Sequence, residues 1–278
     1  MNPHAKILHA LETHATATLV MVTSTQGSTP REVGAWMVVT PRGYHGSIGG
    51  GTLEWHAMAE AQALLGKPAT RKIISKVLGP DLGQCCGGRM ELLIESFDHK
   101  SIENVKRRAE DFVDDFRHLH LWGAGHVGRA LVLALAPLPF KISWWDQRLN
   151  AFPAVVPQNV MCRSGSPDEM EPHSMVMVMS HSHALDFEII DVALRNPAFQ
   201  FVGLIGSATK RARFVKRLHD AGVNPARLTC PIGSTEIRSK HPAHIAAGVA
   251  FQLLQQDELL KTQRLDSEFA VKSLKVLA

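Results

Sequence analysis

Apolar positions recur at helical spacing at Ile7, Leu8, Leu11 and Ala15, and the unbroken Leu19-Val20-Met21-Val22 that follows has the make-up of a strand. Residues 4–15 and 19–22 are therefore expected to form an opening helix and strand. Ala35-Trp36-Met37-Val38-Val39 reads as a second strand ended by the turn Pro41-Arg42-Gly43. Gly46-Ser47-Ile48-Gly49-Gly50-Gly51 then leads into a helix carrying Leu53, Ala57, Ala61, Leu64 and Leu65. Lys72 to Leu78 and Met90 to Ile94 read as strands flanking the turn-rich loop Gly79 to Gly88. From Ser101 to Phe116, Ile102, Val105, Ala109, Phe112, Val113 and Phe116 form one apolar stripe opposite a charged face, which predicts a connecting helix.

Beyond this point strands and helices alternate. Strands are expected near 118–122, 140–145, 174–179 and 200–205, and helices near 126–136, 184–195, 207–221 and 242–256. Met175-Val176-Met177-Val178-Met179 shows no polar alternation, as a strand covered on both faces requires. The pattern predicts an α/β protein: a C-terminal Rossmann-like parallel sheet with helices on both faces, behind a smaller α+β N-terminal domain. The expected boundaries are 1–99 for the N-terminal domain, 100–117 for the connecting helix and 118–258 for the Rossmann-like domain. Residues 259–278 are expected to be a tail with no packing role.

A chain of 278 residues with 45% hydrophobic content suits two modest cores. Its net charge of +4 comes from Lys and Arg interspersed with acids, so nucleic-acid binding is not implied. The N-terminus lacks a charged segment followed by an apolar signal core, and no stretch of about 18 apolar residues occurs, which points to a cytoplasmic protein off the membrane. Four cysteines in this length are no disulfide scaffold and read as free thiols.

The most specific motif is Gly123-Ala124-Gly125-His126-Val127-Gly128, a G-x-G-x-x-G set between the strand Leu119-His120-Leu121-Trp122 and an apolar helix. Its glycines permit a tight turn and close approach to a pyrophosphate, and the helix start offers N–H groups and a positive dipole end. Asp146 follows Ile142-Ser143-Trp144-Trp145, about 20 residues beyond the glycines, where a ribose-binding acid is expected. This favours nucleotide binding over a ligand-free turn. His181 and His183 close the third parallel strand and either face the ligand crevice or simply cap the next helix. Gly206 and Ser207 open a further helix, with Ser207 a natural N-cap and Lys210 placed to reach an anion. Gly49, Gly50 and Gly51 form either a second anion-binding nest or a tight turn. In Gln84-Cys85-Cys86-Gly87-Gly88 the adjacent thiols suit soft-metal or sulfur chemistry, the competing reading being small residues filling a loop. No second pair of zinc ligands accompanies them.

Together these segments resemble the XdhC/CoxI family from about Ala10 to Leu254. The resemblance is carried by Gln26-Gly27-Ser28-Thr29-Pro30-Arg31, Gly46 to Gly51 with Leu53-Glu54, Leu82 to Gly88, Gly123 to Gly128, Asp146-Gln147-Arg148, Ser180 to His183, Gly203 to Ser207, Lys210-Arg211 and Pro231-Ile232-Gly233. It implies a chaperone, more than an enzyme, that binds molybdenum cofactor, protects it, assists its sulfuration with a cysteine desulfurase and delivers it to a xanthine dehydrogenase-type molybdoenzyme. It also implies a homodimer. In that setting Gly123, Gly125, His126, Val127, Gly128, Asp146, Arg148, His181, His183, Gly206, Ser207, Lys210, Gly49, Gly50, Gly51 and Gln84 become candidate cofactor-binding residues, and Cys85 and Cys86 candidate metal ligands. Molybdopterin carries a phosphate, or a pyrophosphate in its dinucleotide form, and holds its metal through sulfur, so a phosphate loop and a thiol loop belong together. After Gly233 the family continues with glycine, whereas this chain has Ser234 to Lys240, which narrows backbone freedom there. An NAD(P)-dependent oxidoreductase would use the glycine loop and Asp146 equally well, but the chain shows no catalytic set. A molybdopterin nucleotidyltransferase would need a suitably placed basic loop, which is not found.

Overall fold

The computed structural model describes residues 2–78, 87–112, 116–234 and 236–276, the last twelve of these by backbone alone. The chain divides into two compact units, Met1–Asp114 and Asp115–Ala278.

The first unit opens with α1 (Pro3–His14). Asn2 caps it by accepting the His4 N–H, and Ala15 ends it in the left-handed region at φ 64°. An antiparallel sheet follows, built from β1 (Thr16–Gln26), β2 (Trp36–Thr40), β3 (Gly43–Gly46), β4 (Arg71–Val77) and β5 (Arg89–Asp98) in the order β3-β2-β1-β5-β4. Helix α2 (Gly51–Gln62) buries Leu53, Ala57 and Ala61 against Val20, Val22, Met37, Leu92 and Ile94 on one face. Ile7 and Leu11 of α1 cover Leu19, Val38 and Phe97 on the other, helped by Val105 of α3 (Ile102–Glu110). Because both faces of β1 are covered, Ala17 to Val20 is buried without alternation. The connecting helix is shorter than its apolar stripe: α3 stops at Glu110, with Asp111 as its C-cap.

The second unit runs β6 (Arg117–Trp122), α4 (His126–Leu135), β7 (Phe140–Trp145), β8 (Val160–Arg163), β9 (Met175–Val178), α5 (His183–Arg195), β10 (Phe201–Leu204), α6 (Ala208–Asp220), β11 (Leu228–Thr229) and α7 (Pro242–Val276). Its strands pair in parallel in the order β11-β10-β9-β6-β7-β8. The order reverses between β6 and β9, the switch point at which doubly wound sheets open a crevice beyond their carboxyl ends. Leu119, Leu121, Ile142, Met175 and Met177 pack under Leu131 and Leu135 of α4 and Val249 and Leu253 of α7. Trp122, Val176, Val178, Val202 and Leu204 face Ile189 and Ile190 of α5 and Phe214 and Leu218 of α6. Two strands escape the hydrophobic pattern, β8 because it is a part-exposed edge and β11 because it has two residues. The expected tail does pack: α7 continues without a break past residue 258, and Leu260 lies against the core. No helix among the described residues is long and apolar enough to cross a membrane.

His120 is a polar residue inside this core. Trp145 Nε1–H donates to its Nδ1 at 3.1 Å, so Nε2 carries the proton and donates to the Glu171 carbonyl at 3.1 Å. Trp145 in turn stacks on Trp122 with centroids 5.0 Å apart. Burial, reinforced by neighbouring His118, pushes the His120 pKa down from 6.5 to about 4. The unfolded chain therefore takes up this proton first as pH falls. His120's contribution is complete above pH 6.5 and is lost as pH drops towards about 4, by roughly 3 kcal/mol. Urea unfolding across this window should show a steeper loss in wild type than in His120→Gln, and parallel curves would refute the assignment.

Candidate functional site

The three glycines of the loop after β6 serve different physical ends. Gly123 sits at φ +114°, and a Cβ there would strike the Met179 carbonyl oxygen. Its N–H donates to the Trp145 carbonyl at 2.8 Å and its carbonyl accepts from Trp144 Nε1 at 3.0 Å, binding the turn to β7. A Cβ on Gly128 would strike the Gly123 carbonyl, so the glycine there lets α4 lie close against the end of β6. Gly125 is unlike both: its φ of −77° suits any residue, and a Cβ there would meet nothing within 4 Å. It is the N-cap of α4, and no side chain among the described residues caps that helix. The first amides of α4 and its positive dipole end thus lie without a side-chain cap among the described residues, beside the clear space at Gly125 on the carboxyl edge of the sheet, the arrangement that receives phosphate. Val127 packs against the core and His126 is exposed.

Asp146, at the end of β7, is hydrogen-bonded to that loop. Its Oδ2 accepts the Ala124 N–H at 2.7 Å and Arg148 Nη2 at 2.8 Å, and its Oδ1 accepts the Arg148 N–H at 3.0 Å and Nε at 2.9 Å. Burial alone would raise its pKa, but the hydrogen bonds from Arg148 and the Ala124 amide outweigh that and hold it at about 2. The carboxylate is charged at any physiological pH and shapes the glycine loop directly. Arg129 braces the loop from the other side, donating to the carbonyls of Ala124 at 3.1 Å and Ala151 at 2.7 Å.

At the ends of β9 and β10, the sequence pattern missed the organising residue. Asp186, in the first turn of α5, is fully buried and accepts from Ser180 Oγ at 2.6 Å, the Ser180 N–H at 3.1 Å and Lys210 Nζ at 2.7 Å. Lys210 also donates to the Ile205 carbonyl at 2.9 Å, so its charge is spent inside the fold. An acid within the apolar stripe of Leu185, Ile189 and Ile190 was the sequence signal for this pair. Ser207 caps α6 through the Lys210 N–H, and Gly206 leaves room for the Lys210 stem, which a Cβ would meet at 2.6 Å. His181 and His183 are exposed, with Ser182 capping α5 between them. Gly233, at φ +83°, donates its N–H to Gln252 on α7 at 2.8 Å.

In the first unit, the glycine loop before α2 already holds an anion. The Glu54 carboxylate accepts from Ser47 Oγ at 2.6 Å and from the N–H groups of Ile48 at 2.9 Å and Gly50 at 3.1 Å. Burial works to raise the Glu54 pKa, and these hydrogen bonds more than cancel it, leaving a net lowering. Gly49, at φ +126°, packs its bare Cα on Pro30, which a Cβ would meet at 2.6 Å, while Gly50 and Gly51 also have positive φ. Arg31 donates to the Ser47 carbonyl at 3.1 Å, and a Cβ on Gly88 would strike the Ser28 carbonyl. The Gln26–Arg31, Gly46–Gly51 and Gly87–Gly88 segments therefore meet at one end of the sheet. Gln84, Cys85 and Cys86 lie outside the described residues. Among the described residues no cluster of three His, Cys, Asp or Glu side chains could hold a metal ion; Cys162 and Cys230 are free thiols.

The Asp186–Lys210 pair should be indispensable to the second unit. Lys210→Met leaves a buried carboxylate without its cation, and a loss of about 3 kcal/mol is expected in urea unfolding. Adding Asp186→Asn should restore most of it. A Lys210→Met loss below about 1 kcal/mol would refute the role given to the pair.

Comparison with known proteins agrees with this architecture. Residues 10–74 match the family model described as the XdhC and CoxI family, and residues 119–253 that of the XdhC Rossmann domain. The Escherichia coli (strain K12) protein YqeB, described as uncharacterized, is 27% identical over 251 residues, which span 85% of this chain but 43% of that protein. The chain thus spans less than half the length of this curated relative. A crystal structure described as that of a xanthine dehydrogenase from Bacillus halodurans shares the fold, with a TM-score of 0.77 at 19% identity over 92% of this chain and 96% of the other. With a segment of each unit matched by models of one family, the chain belongs to the XdhC/CoxI family.

Proposed function

We propose that the protein binds molybdenum cofactor as cargo, protects it, assists its sulfuration and inserts it into a xanthine dehydrogenase-type molybdoenzyme. The observation that carries this reading is the open cradle at Gly125, in a chain of the XdhC/CoxI family: helix amides without a side-chain cap among the described residues adjoin clear space where a phosphate-bearing ligand needs them. The fit rests on the residues present, since Gly123 and Gly128 hold the loop in shape while Gly125 leaves the approach clear. In this reading the α4 amides bind the phosphate of the pterin, and Cys85 and Cys86 are the thiols that meet the molybdenum or its transferable sulfur. A thiolate both ligates soft metals and attacks sulfur, which suits such a handover. A cysteine desulfurase supplies the sulfur, and the protein works as a cytoplasmic homodimer.

A Rossmann unit would also serve an NAD(P)-dependent oxidoreductase. Less supports that reading, because the Asp146 carboxylate, the acceptor a ribose diol would need, already receives four hydrogen bonds from Ala124 and Arg148. Protein purified from cells with active cofactor synthesis is expected to carry molybdenum and pterin; nicotinamide in their place would refute the proposal.

Gly125→Val should fold normally, since its backbone and the space around it accept a side chain, yet reduce bound pterin by about tenfold or more because the valine fills the phosphate approach. Equal retention by a folded variant would exclude this loop as the site.

The thiols are tested by expressing a Cys85→Ser, Cys86→Ser double variant beside a xanthine dehydrogenase-type client and measuring the client's molybdenum, sulfido ligand and turnover. A client with full metal but missing sulfido ligand is the expected result, and normal activation would remove the cysteines from the mechanism.

A further inference from the structure

We infer that Arg148, clamped by Asp146, selects a ligand carrying a phosphomonoester beside the glycine loop and disfavours one that places a bare ribose diol there. The inference rests on the reading of the loop as a phosphate site and concerns which form of ligand it takes.

An ionised carboxylate offers about four acceptor positions. Asp146 already receives four donors: the Ala124 amide, the Arg148 amide, Arg148 Nε and Arg148 Nη2. A ribose diol at the end of the second strand needs that carboxylate as its acceptor. To supply it here, Asp146 would have to give up hydrogen bonds while its side chain is 1% exposed. The acid that marks a nucleotide site in the sequence is therefore a positioning residue in the structure.

What Asp146 positions is a cation. Only one edge of the Arg148 guanidinium, Nε and Nη2, is engaged, and Nη1 makes no hydrogen bond among the described residues. The side chain is 44% exposed, so its remaining donors reach solvent. Nη2 shares the Oδ2 oxygen with the Ala124 N–H, which places the guanidinium alongside the loop, two hydrogen bonds from its backbone. Arg148 offsets the charge of Asp146, and the α4 dipole end adds positive potential. The local field thus favours an added anion. A phosphomonoester is close to a dianion at neutral pH and has three acceptor oxygens for a guanidinium edge. A pyrophosphate diester carries a single charge on each phosphoryl group and leads on to sugar hydroxyls that find Asp146 occupied. Two ligands present the preferred chemistry: molybdopterin ending in its phosphate, and a dinucleotide phosphorylated on the ribose.

Equilibrium titration under anaerobic conditions separates these cases, using molybdopterin against its cytosine dinucleotide and NADP against NAD, with wild type, Arg148→Gln, Arg148→Lys and Gly125→Val. Within a pair that binds, the phosphomonoester member should bind about tenfold tighter to wild type. Arg148→Gln should remove that preference by weakening the phosphomonoester member while the diol member holds or gains affinity, since two acceptor positions on Asp146 come free, and Arg148→Lys should keep part of the preference. Unfolding curves for each variant confirm that the site is intact. Preference within the molybdopterin pair alone identifies the cofactor as the source of the phosphate; preference within the nicotinamide pair alone supports the selectivity but refutes the proposed cargo. Equal affinities within every binding pair, or parallel losses in Arg148→Gln, would overturn the inference and leave the loop as a phosphate site. Undiminished binding by Gly125→Val would overturn the site itself, and failure of all four probes to bind wild type would overturn both.

Discussion

The hydrogen bond from the Ala124 amide to Asp146 is the contact on which the second unit's functional edge depends. It joins the end of β7 to the loop after β6, in a place where the backbone has left the sheet and lost its ladder partners. A buried amide needs an acceptor, and a carboxylate supplies a stronger one than another peptide would. The same solution recurs at two other strand-to-helix turns. Asp186 gathers Ser180 and Lys210, and Glu54 gathers Ser47, Ile48 and Gly50. Each turn is organised by an internal acid, so its geometry is set before any ligand arrives.

This arrangement explains what was readable in the sequence. The continuous run Met175 to Met179 announced a strand covered on both sides, and the glycines between Trp122 and the α4 stripe announced a turn of known shape. Both signals are local, because burial and backbone freedom are written in neighbouring residues. Edge strand β8, half exposed, and two-residue β11 carry no such signature, the first because it buries too little surface and the second because it is too short to show a period.

The candidate site was legible in position and less so in role. Asp146 and Lys210 were found by their places at strand and helix ends, but their partners were not, because Arg148 on Asp146 and Asp186 on Lys210 are choices of geometry between groups that could each have faced a ligand. Of the Gly49 to Gly51 run, which reads as an anion nest or a tight turn, Gly50 donates with Ile48 and Ser47 to Glu54, an acid in the first turn of α2. Spacing identifies where charge can gather; only the three-dimensional arrangement tells whether the protein has already used it.

The division of labour among Gly123, Gly125 and Gly128 has a consequence for descent. Packing alone holds the first and last of them to glycine, through the Met179 and Gly123 carbonyls, whatever the loop binds. The middle one has no packing neighbour among the described residues that requires glycine. A lineage that abandoned its ligand would still inherit the outer glycines intact and would drift first at the centre, so among relatives that position records whether the loop is still in use.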